Sequence, residues 1–177
     1  MKKNNIILIG FMGTGKSSVG ISLASALSMK FLDTDNEIEK CCQMTISELF
    51  QSKGEEAFRF METNLLLKYQ ETLNQTVIST GGGMPLRVEN ASLLREIGYI
   101  IFLKTSKEVT YQRLKHDTTR PLLQCEDPLG AIEQMLKIRV PIYEALADMV
   151  LETEDKSVDR IVQEILLMQK NINAREY

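Results

Sequence analysis

The sequence predicts a three-layer α/β/α sandwich, in which a central parallel sheet of five strands is covered on both faces by helices. Two observations carry this prediction. Short apolar runs alternate along the chain with stretches of helical period, and no Pro- or Ser-rich linker or internal repeat divides them. The first run leads into a glycine-rich turn, residues 10–17, which opens a helix. A strand, a glycine-rich turn and a helix in this order are typical of a P-loop fold.

The elements follow in order from the apolar runs. Strands are predicted at residues 6–9, 31–33, 77–79, 99–103 and 149–151. Residues 35–75 show a helical pattern without a strand, which is more than a crossover connection needs and predicts an inserted helical substrate-binding region. The polar stretch from His116 to Pro128 holds two prolines and predicts a mobile lid over about residues 114–127. We expect residues 1–177 to form one domain.

Composition and charge exclude several classes of function. Of the residues, 44% are apolar and 25% are charged, which is ordinary for a globular protein. The net charge of −3 provides no general attraction for nucleic acid or acidic membranes, so we expect a small-molecule substrate and no nucleic-acid partner. No segment is long enough to span a bilayer, and glycines interrupt the first apolar run before it reaches the length of a signal sequence.

The cysteine and histidine content excludes further kinds of site. Three cysteines, two of them adjacent at Cys41 and Cys42, make a poor disulfide framework and predict a cytoplasmic protein. His116 is the only histidine, which excludes most zinc sites and any Ser-His-Asp triad. The sequence contains no long apolar stripe that would be left exposed, so we expect a monomer.

The glycine-rich turn carries the strongest signal for function. Residues 10–17 read Gly-Phe-Met-Gly-Thr-Gly-Lys-Ser. Glycines let the backbone bend so that successive N–H groups point at phosphate oxygens, and the first turn of the following helix adds its own donors. Lys16 supplies a positive charge between the terminal phosphates, and Ser17 offers a hydroxyl to Mg²⁺. The pattern predicts that the chain binds a nucleoside triphosphate with Mg²⁺.

Two aspartates end the second predicted strand. Because alternate residues of a strand point the same way, we expect Asp33 and Asp35 to face the ligand edge of the sheet together. One could complete the magnesium shell while the other orients or deprotonates an acceptor hydroxyl, as a kinase requires. The alternative for Asp35 is that it caps the next helix, which is compatible with function.

Arginines and a glycine turn supply candidate anion-binding groups. Arg59 and Glu62 are three residues apart on a predicted helix, so Glu62 could hold the guanidinium while its other donors reach a ligand; a plain surface ion pair is the alternative. Gly81, Gly82 and Gly83 follow the third strand and permit a close approach of backbone to ligand, although a simple flexible turn would have the same sequence.

Three further arginines lie in or near the predicted lid. Arg113 precedes it, Arg120 lies within it, and Arg139 lies on the helix that follows. An arginine on a closing loop would stabilise negative charge on a transferring phosphate and help exclude water. Arg139 offers a second guanidinium for a carboxylate.

Taken together, these motifs resemble the shikimate kinase family over about residues 5–145. They are the P-loop, the Asp33-Thr34-Asp35 strand end, Gly54-Glu55 with Phe58-Arg59, the Gly81-Gly82-Gly83 turn, Arg120-Pro121-Leu122-Leu123, and Arg139 with Tyr143. The resemblance implies ATP- and Mg²⁺-dependent transfer of the γ-phosphoryl group to the 3-hydroxyl of shikimate, a step towards chorismate and the aromatic amino acids.

The resemblance also implies roles for individual residues. The catalytic residues would be Lys16, Asp35 and Arg120, with Asp35 binding the ring hydroxyls as the candidate general base. ATP would contact Gly13, Thr14, Gly15, Lys16, Ser17, Ser18, Arg113 and Arg120, with Arg113 beside the adenine. Shikimate would contact Asp35, Arg59, Glu62, Gly81, Gly82, Gly83 and Arg139, with Glu62 steadying Arg59. Mg²⁺ would be held by Ser17 and Asp33.

Some alternatives remain open at this point. Residues 153–157 read Thr-Glu-Asp-Lys-Ser, where relatives often carry a basic residue and a proline, so the adenine contacts are not assigned. A gluconate-type kinase would share the P-loop fold and differ in the acceptor pocket. A GTPase would need an Asn-Lys-x-Asp segment that the sequence lacks. A nucleotide-binding protein without catalytic activity would be expected to have lost Lys16 or Asp35.

Overall fold

The central sheet of the protein has the predicted number of strands at the predicted positions. The structure is a computed structural model and describes residues 4–115 and 127–173. Its strands are β1 (Ile6–Ile9), β2 (Lys30–Asp33), β3 (Thr76–Ser79), β4 (Tyr99–Lys104) and β5 (Met149–Glu152). All pairings are parallel, in the order β2-β3-β1-β4-β5. The predicted five-stranded parallel sheet is confirmed, and each strand agrees with its prediction to within one residue at either end.

Helices connect the strands and cover both faces of the sheet. They are α1 (Lys16–Leu27), α2 (Thr34–Cys42), α3 (Ile46–Thr72), α4 (Val88–Ile97), α5 (Lys107–Leu114), α6 (Pro128–Leu146) and α7 (Val158–Asn173), with a short 3₁₀ helix at Met84–Leu86. In the described part of the chain, no helix is both long enough and apolar enough to cross a membrane.

Alternation along the central strand explains why two separate cores form. All four residues of β1 are buried, because helices lie on both sides of the sheet. Ile7 and Ile9 belong to the core under α3, α4 and α6, whereas Ile6 and Leu8 belong to the core under α1 and α7. The sheet is therefore packed between two layers of helices.

The helical insertion consists of α2 and the long helix α3. Thr45 begins α3 with a capping box, since its hydroxyl accepts from the N–H of Glu48 and the Glu48 carboxylate accepts from the N–H of Thr45. Gly54 interrupts the helical geometry with φ +79° and ψ 167°, so the element consists of two helices joined at a kink. Most of the predicted lid at 114–127, including Arg120, lies outside the described residues.

Candidate active site

The turn between β1 and α1 forms one wall of a cleft of about 240 Å³ at the carboxyl edge of the sheet. The cleft is lined by Met12, Gly13, Gly15, Lys16, Ser17, Ser18, Asp33, Asp35, Ser79, Thr80 and Gly82. Gly13 and Gly15 have φ values of +76° and +87°, a region that L side chains rarely occupy. The glycines at these positions are therefore required by the shape of the loop.

Lys16 lies in the first turn of α1 and is 9% exposed. Its Nζ donates to the backbone carbonyls of Gly10, at 3.0 Å, and Phe11, at 2.8 Å. The N-cap of the helix, Gly15, has no side chain to accept from the first-turn N–H groups. The first turn of α1, at the positive end of the helix dipole, and Lys16 thus both line the cleft.

Three side-chain oxygens meet on the floor of the cleft. The hydroxyl of Ser17 donates to Oδ2 of Asp33 at 2.8 Å and lies 3.3 Å from Oγ of Ser79. Asp33 and Ser79 are paired residues at the ends of the adjacent strands β2 and β3. No sequence motif predicted a role for Ser79, although the last residue of a predicted strand lies at the edge of the sheet where ligands bind.

The two aspartates that line the cleft belong to different elements. The expectation that they project from one strand is wrong, because β2 ends at Asp33 and α2 begins at Thr34. Asp33 is the cap of α2, and its Oδ1 accepts from the N–H groups of Asp35 and Asn36. Capping is therefore not the role of Asp35, which lies in the first helical turn and lines the cleft.

The Gly81 backbone lies against two carboxyl groups. A Cβ atom built on Gly81 would overlap Oδ1 of Asp35 and would lie 3.2 Å from Oε1 of Glu62. The N–H of Gly81 donates to the buried hydroxyl of Thr34 at 3.0 Å, which ties the glycine turn to the start of α2. The space at Gly81 thus admits no side chain while Asp35 and Glu62 keep these positions.

Arg59 is the centre of a second cluster on α3. Its Nη1 donates to Oε2 of Glu62 at 2.8 Å and its Nη2 donates to Oε1 of Glu55 at 2.9 Å. The guanidinium carbon lies 5.4 Å from the ring centroid of Phe58. A Cβ atom on Gly83 would lie 2.6 Å from that same carbon, so the glycine turn packs directly on the guanidinium. The structure thus fixes Arg59 from several sides at once.

Glu62 is wholly buried within this cluster. Its Oε1 has no hydrogen-bond partner among the described residues. Burial raises the pKa of Glu62 from 4.5 to about 7; the neighbouring Arg59 and Arg87 oppose this rise, and the charge of Asp35 adds to it. The carboxyl group therefore changes protonation near neutral pH, next to the residues that line the cleft.

Arg139, on α6, lies against the P-loop. Its guanidinium carbon lies 5.3 Å from the ring centroid of Phe11, in the P-loop. One helical turn later, the buried Tyr143 donates to the carbonyl oxygen of Gly82 at 2.6 Å. Burial raises the pKa of Tyr143 to about 12 against the effect of the nearby Arg139. Arg59 thus packs directly on the three-glycine turn, whereas Arg139 lies on the P-loop ring beside it, one helical turn from the tyrosine that bonds to the turn.

Of the two arginines predicted at the nucleotide site, Arg113 and Arg120, the structure describes Arg113. Arg113, near the end of α5, donates from Nη1 to the carbonyl oxygen of Gly13 at 2.9 Å and so lies at the P-loop. Arg120 lies outside the described residues. In the segment after β5, Thr153 is buried and bonded to the carbonyl of Lys104, so its side chain packs inward.

Comparisons with known proteins agree on one family. A family model described as "Shikimate kinase" matches residues 12–170. The shikimate kinase of Thioalkalivibrio sulfidiphilus is 43% identical over an alignment that covers 92% of this chain and 85% of the relative. That of Pasteurella multocida is 42% identical, with 98% of this chain and 99% of the relative covered.

Solved structures give the same result for the fold. A shikimate kinase from Acinetobacter baumannii in complex with shikimate matches with a TM-score of 0.90 and 38% identity, over 96% of this chain and 94% of that one. The enzyme from Aquifex aeolicus matches with a TM-score of 0.81 and 34% identity, over 96% and 98%. A gluconokinase from Sinorhizobium meliloti, with a TM-score of 0.56 and 16% identity over 100% of both chains, shares the fold alone.

Proposed function

Because the chain belongs to the shikimate kinase family, we infer that it is an ATP-dependent kinase that phosphorylates a hydroxyl group of shikimate. The observation that supports this assignment within the site is a glycine turn that packs on Arg59, Asp35 and Glu62, beside a P-loop whose Phe11 ring lies under a second arginine, Arg139. The P-loop suits a nucleotide, and the adjoining cluster suits a small acid that also carries hydroxyl groups.

At the phosphate end, we assign the transferred phosphoryl group to Lys16 and the N-terminus of α1. Ser17 and Asp33 would hold Mg²⁺, and the hydroxyl of Ser79, 3.3 Å from that of Ser17, would support them. Oxygen atoms from one carboxylate and two hydroxyls are ligands that Mg²⁺ accepts when phosphates and water complete its shell. When bound, the ion would neutralise part of the negative charge on the phosphates of the nucleotide.

At the acceptor end, Arg59 and Arg139 would receive the carboxylate of shikimate. Charge-assisted bonds from a planar guanidinium to a carboxylate are among the strongest polar contacts in proteins. Glu62 and Glu55 hold Arg59, and Phe11 lies under Arg139, so neither guanidinium needs to be ordered when the ligand arrives. The backbone of Gly81, Gly82 and Gly83 would pack on the ring.

Between the two ends, Asp35 would bind the ring hydroxyls, including the acceptor 3-hydroxyl. A carboxylate there accepts the hydroxyl hydrogen and directs the oxygen at the γ-phosphorus, whether or not full proton transfer precedes bond formation. Phosphoryl transfer requires little covalent chemistry from the protein, so most of the rate enhancement would come from this positioning and from positive charge around the phosphoryl oxygens. Arg120 would add charge from the predicted lid.

We also propose that the chain acts as a cytoplasmic monomer on small molecules and has no nucleic-acid partner. The net charge of −3 supports the absence of a nucleic-acid partner. The two free cysteines in the described residues, Cys41 and Cys42, are compatible with a reducing compartment.

The test is ADP formation by the purified chain with ATP and Mg²⁺, compared for shikimate, gluconate, AMP and no acceptor. We expect ADP only with shikimate, and we expect ³¹P-coupled NMR of the product to place the phosphate on the 3-hydroxyl. Lys16→Ala, prepared in parallel, controls for contaminating kinases. ADP formation with gluconate instead, or equal formation without any acceptor, would refute the assignment.

A further inference from the structure

Both arginines of the proposed acceptor pocket lie on the face of a phenylalanine ring. Arg59 lies 5.4 Å above Phe58, and Arg139 lies 5.3 Å above Phe11. Each ring is almost fully buried, so each stack is partly desolvated and contributes to the position of its guanidinium. The two stacks differ in one respect: Phe58 belongs to the same helix as Arg59, whereas Phe11 belongs to the P-loop.

Phe11 also supports the phosphate-binding side of the P-loop through its backbone. Its carbonyl oxygen accepts from Nζ of Lys16 at 2.8 Å and from the hydroxyl of Thr14 at 2.9 Å. Lys16 reaches back onto this carbonyl from the first turn of α1. Any shift of the Lys16 ammonium towards a bound phosphate would therefore change the hydrogen bonding of Phe11.

The glycine turn also connects the acceptor pocket to the P-loop. A Cβ atom on Gly82 would lie 3.4 Å from the carbonyl oxygen of Gly10 and 3.8 Å from the carbonyl carbon of Phe11, so the turn lies on the P-loop backbone. Tyr143, one helical turn beyond Arg139, donates to the Gly82 carbonyl at 2.6 Å. The helix that carries Arg139 thus contacts the P-loop directly through the Phe11 ring. It also contacts the P-loop indirectly, through the bond from Tyr143 to the glycine turn.

From these contacts we propose that Phe11 is a positioning residue for Arg139, through which the P-loop sets the geometry of the acceptor pocket. The proposal rests on the proposed function, because it takes Arg139 to bind the acceptor carboxylate. Nucleotide in the P-loop fixes the Phe11 backbone and ring, and the ring then holds Arg139 where the carboxylate binds. Because coupling between two sites is reciprocal, acceptor binding strengthens nucleotide binding by the same factor.

The size of the effect follows from the strength of the stack. A desolvated stack of an arginine on an aromatic ring corresponds to roughly a 5- to 30-fold change in affinity. Loss of the Phe11 ring should therefore weaken shikimate binding by about this factor when nucleotide is bound. Without nucleotide the loss should be smaller, since the P-loop is then less constrained.

The experiment is isothermal titration calorimetry of shikimate, with and without saturating Mg²⁺ and a non-hydrolysable ATP analogue. The coupling factor is the Kd of shikimate without nucleotide divided by its Kd with nucleotide. We expect roughly 5-fold or more for the unchanged chain, and close to 1 for Phe11→Leu and Phe11→Met. Both substitutions keep an apolar side chain in a buried place, and Met adapts well to irregular space.

Phe58→Leu is the matched control. It removes the stack under the other arginine, so it should weaken shikimate binding in both conditions and leave the coupling factor as in the unchanged chain. If both Phe11 variants fail to fold, Arg139→Lys retains the charge without the planar stack and should lower the coupling factor in the same way.

The outcomes separate this inference from the proposed function. A chain that binds no shikimate in either condition would overturn both. A chain that binds shikimate without coupling to nucleotide, or Phe11 variants that keep the full coupling factor, would overturn the role of Phe11 alone. Equal loss of coupling in Phe58→Leu would also overturn it, since any disturbance of the pocket would then have the same effect.

Discussion

Replacing Gly83 by alanine would place a methyl group in the space that the Arg59 guanidinium occupies. The backbone of Gly83 has φ −87° and ψ −18°, which alanine adopts without strain. The added Cβ would lie 2.6 Å from Cζ of Arg59, well inside van der Waals contact. Since the glycine turn is fixed at Gly81 by Thr34 and at Gly82 by Tyr143, the side chain of Arg59 has to move.

The expected rise in the KM for shikimate follows from the contacts that Arg59 would lose. Displaced from Glu62 and from the glycine turn, the guanidinium can no longer present its donors to the acceptor carboxylate. Hydrogen bonds to charged groups are worth about 1.5–3 kcal/mol, which corresponds to a rise in the KM for shikimate of roughly 10- to 100-fold. The P-loop does not contact Arg59 in any described bond, so the KM for ATP should change by less than about twofold.

The assay is steady-state kinetics of Gly83→Ala, Arg59→Ala and the double variant. If the methyl group acts through Arg59, adding Gly83→Ala to Arg59→Ala should change the KM for shikimate very little. Additive effects of the two substitutions, or a rise in the KM for ATP as large as that for shikimate, would refute the reasoning.

Three further predictions concern the carboxyl and hydroxyl groups of the cleft. Asp35→Asn should lower kcat by roughly 100-fold or more while calorimetry gives an almost unchanged Kd for ATP; near-normal turnover would remove Asp35 from its central role. Burial raises the pKa of Glu62 from 4.5 to about 7, so the folded protein holds more protons than the unfolded chain in this range and loses stability as the pH rises. Glu62→Gln cannot ionise, and its unfolding free energy in urea, relative to the unchanged chain, should rise by roughly 2 kcal/mol from pH 5 to 8; a difference independent of pH would contradict this. Ser79→Ala should raise the Mg²⁺ concentration for half-maximal activity by roughly tenfold, whereas an unchanged Mg²⁺ titration would exclude Ser79 from the metal site.

The fold could be predicted from the sequence because the patterns that indicate its strands and its P-loop are local. An apolar run between turn residues marks a strand whether or not its neighbours are known, and the P-loop pattern spans only residues 10–17. Arg59 and Glu62 could be paired for the same reason, since positions three apart share a helix face. The helix beginning at Pro128 also follows from local sequence, with Asp127 as its cap.

Contacts between distant segments could not be predicted. The full burial of Glu62 and its approach to Gly81 depend on how α3 packs against the glycine turn, and the stack of Arg139 on Phe11 joins segments far apart in the chain. The error over Asp35 has a different source. The alternation of a strand was applied to Asp35, two residues past the end of the strand predicted at residues 31–33. The side chain of Asp33 instead caps a helix that begins at Thr34.

A crystal structure of the chain with shikimate, Mg²⁺ and ADP would show which residues bind the acceptor. We expect the shikimate carboxylate within hydrogen-bond distance of both Arg59 and Arg139, the ring on the Gly81–Gly83 turn, and the acceptor hydroxyl on Asp35, facing the P-loop. A carboxylate directed to solvent or to Lys16, or a ring hydroxyl on the arginines in its place, would contradict it.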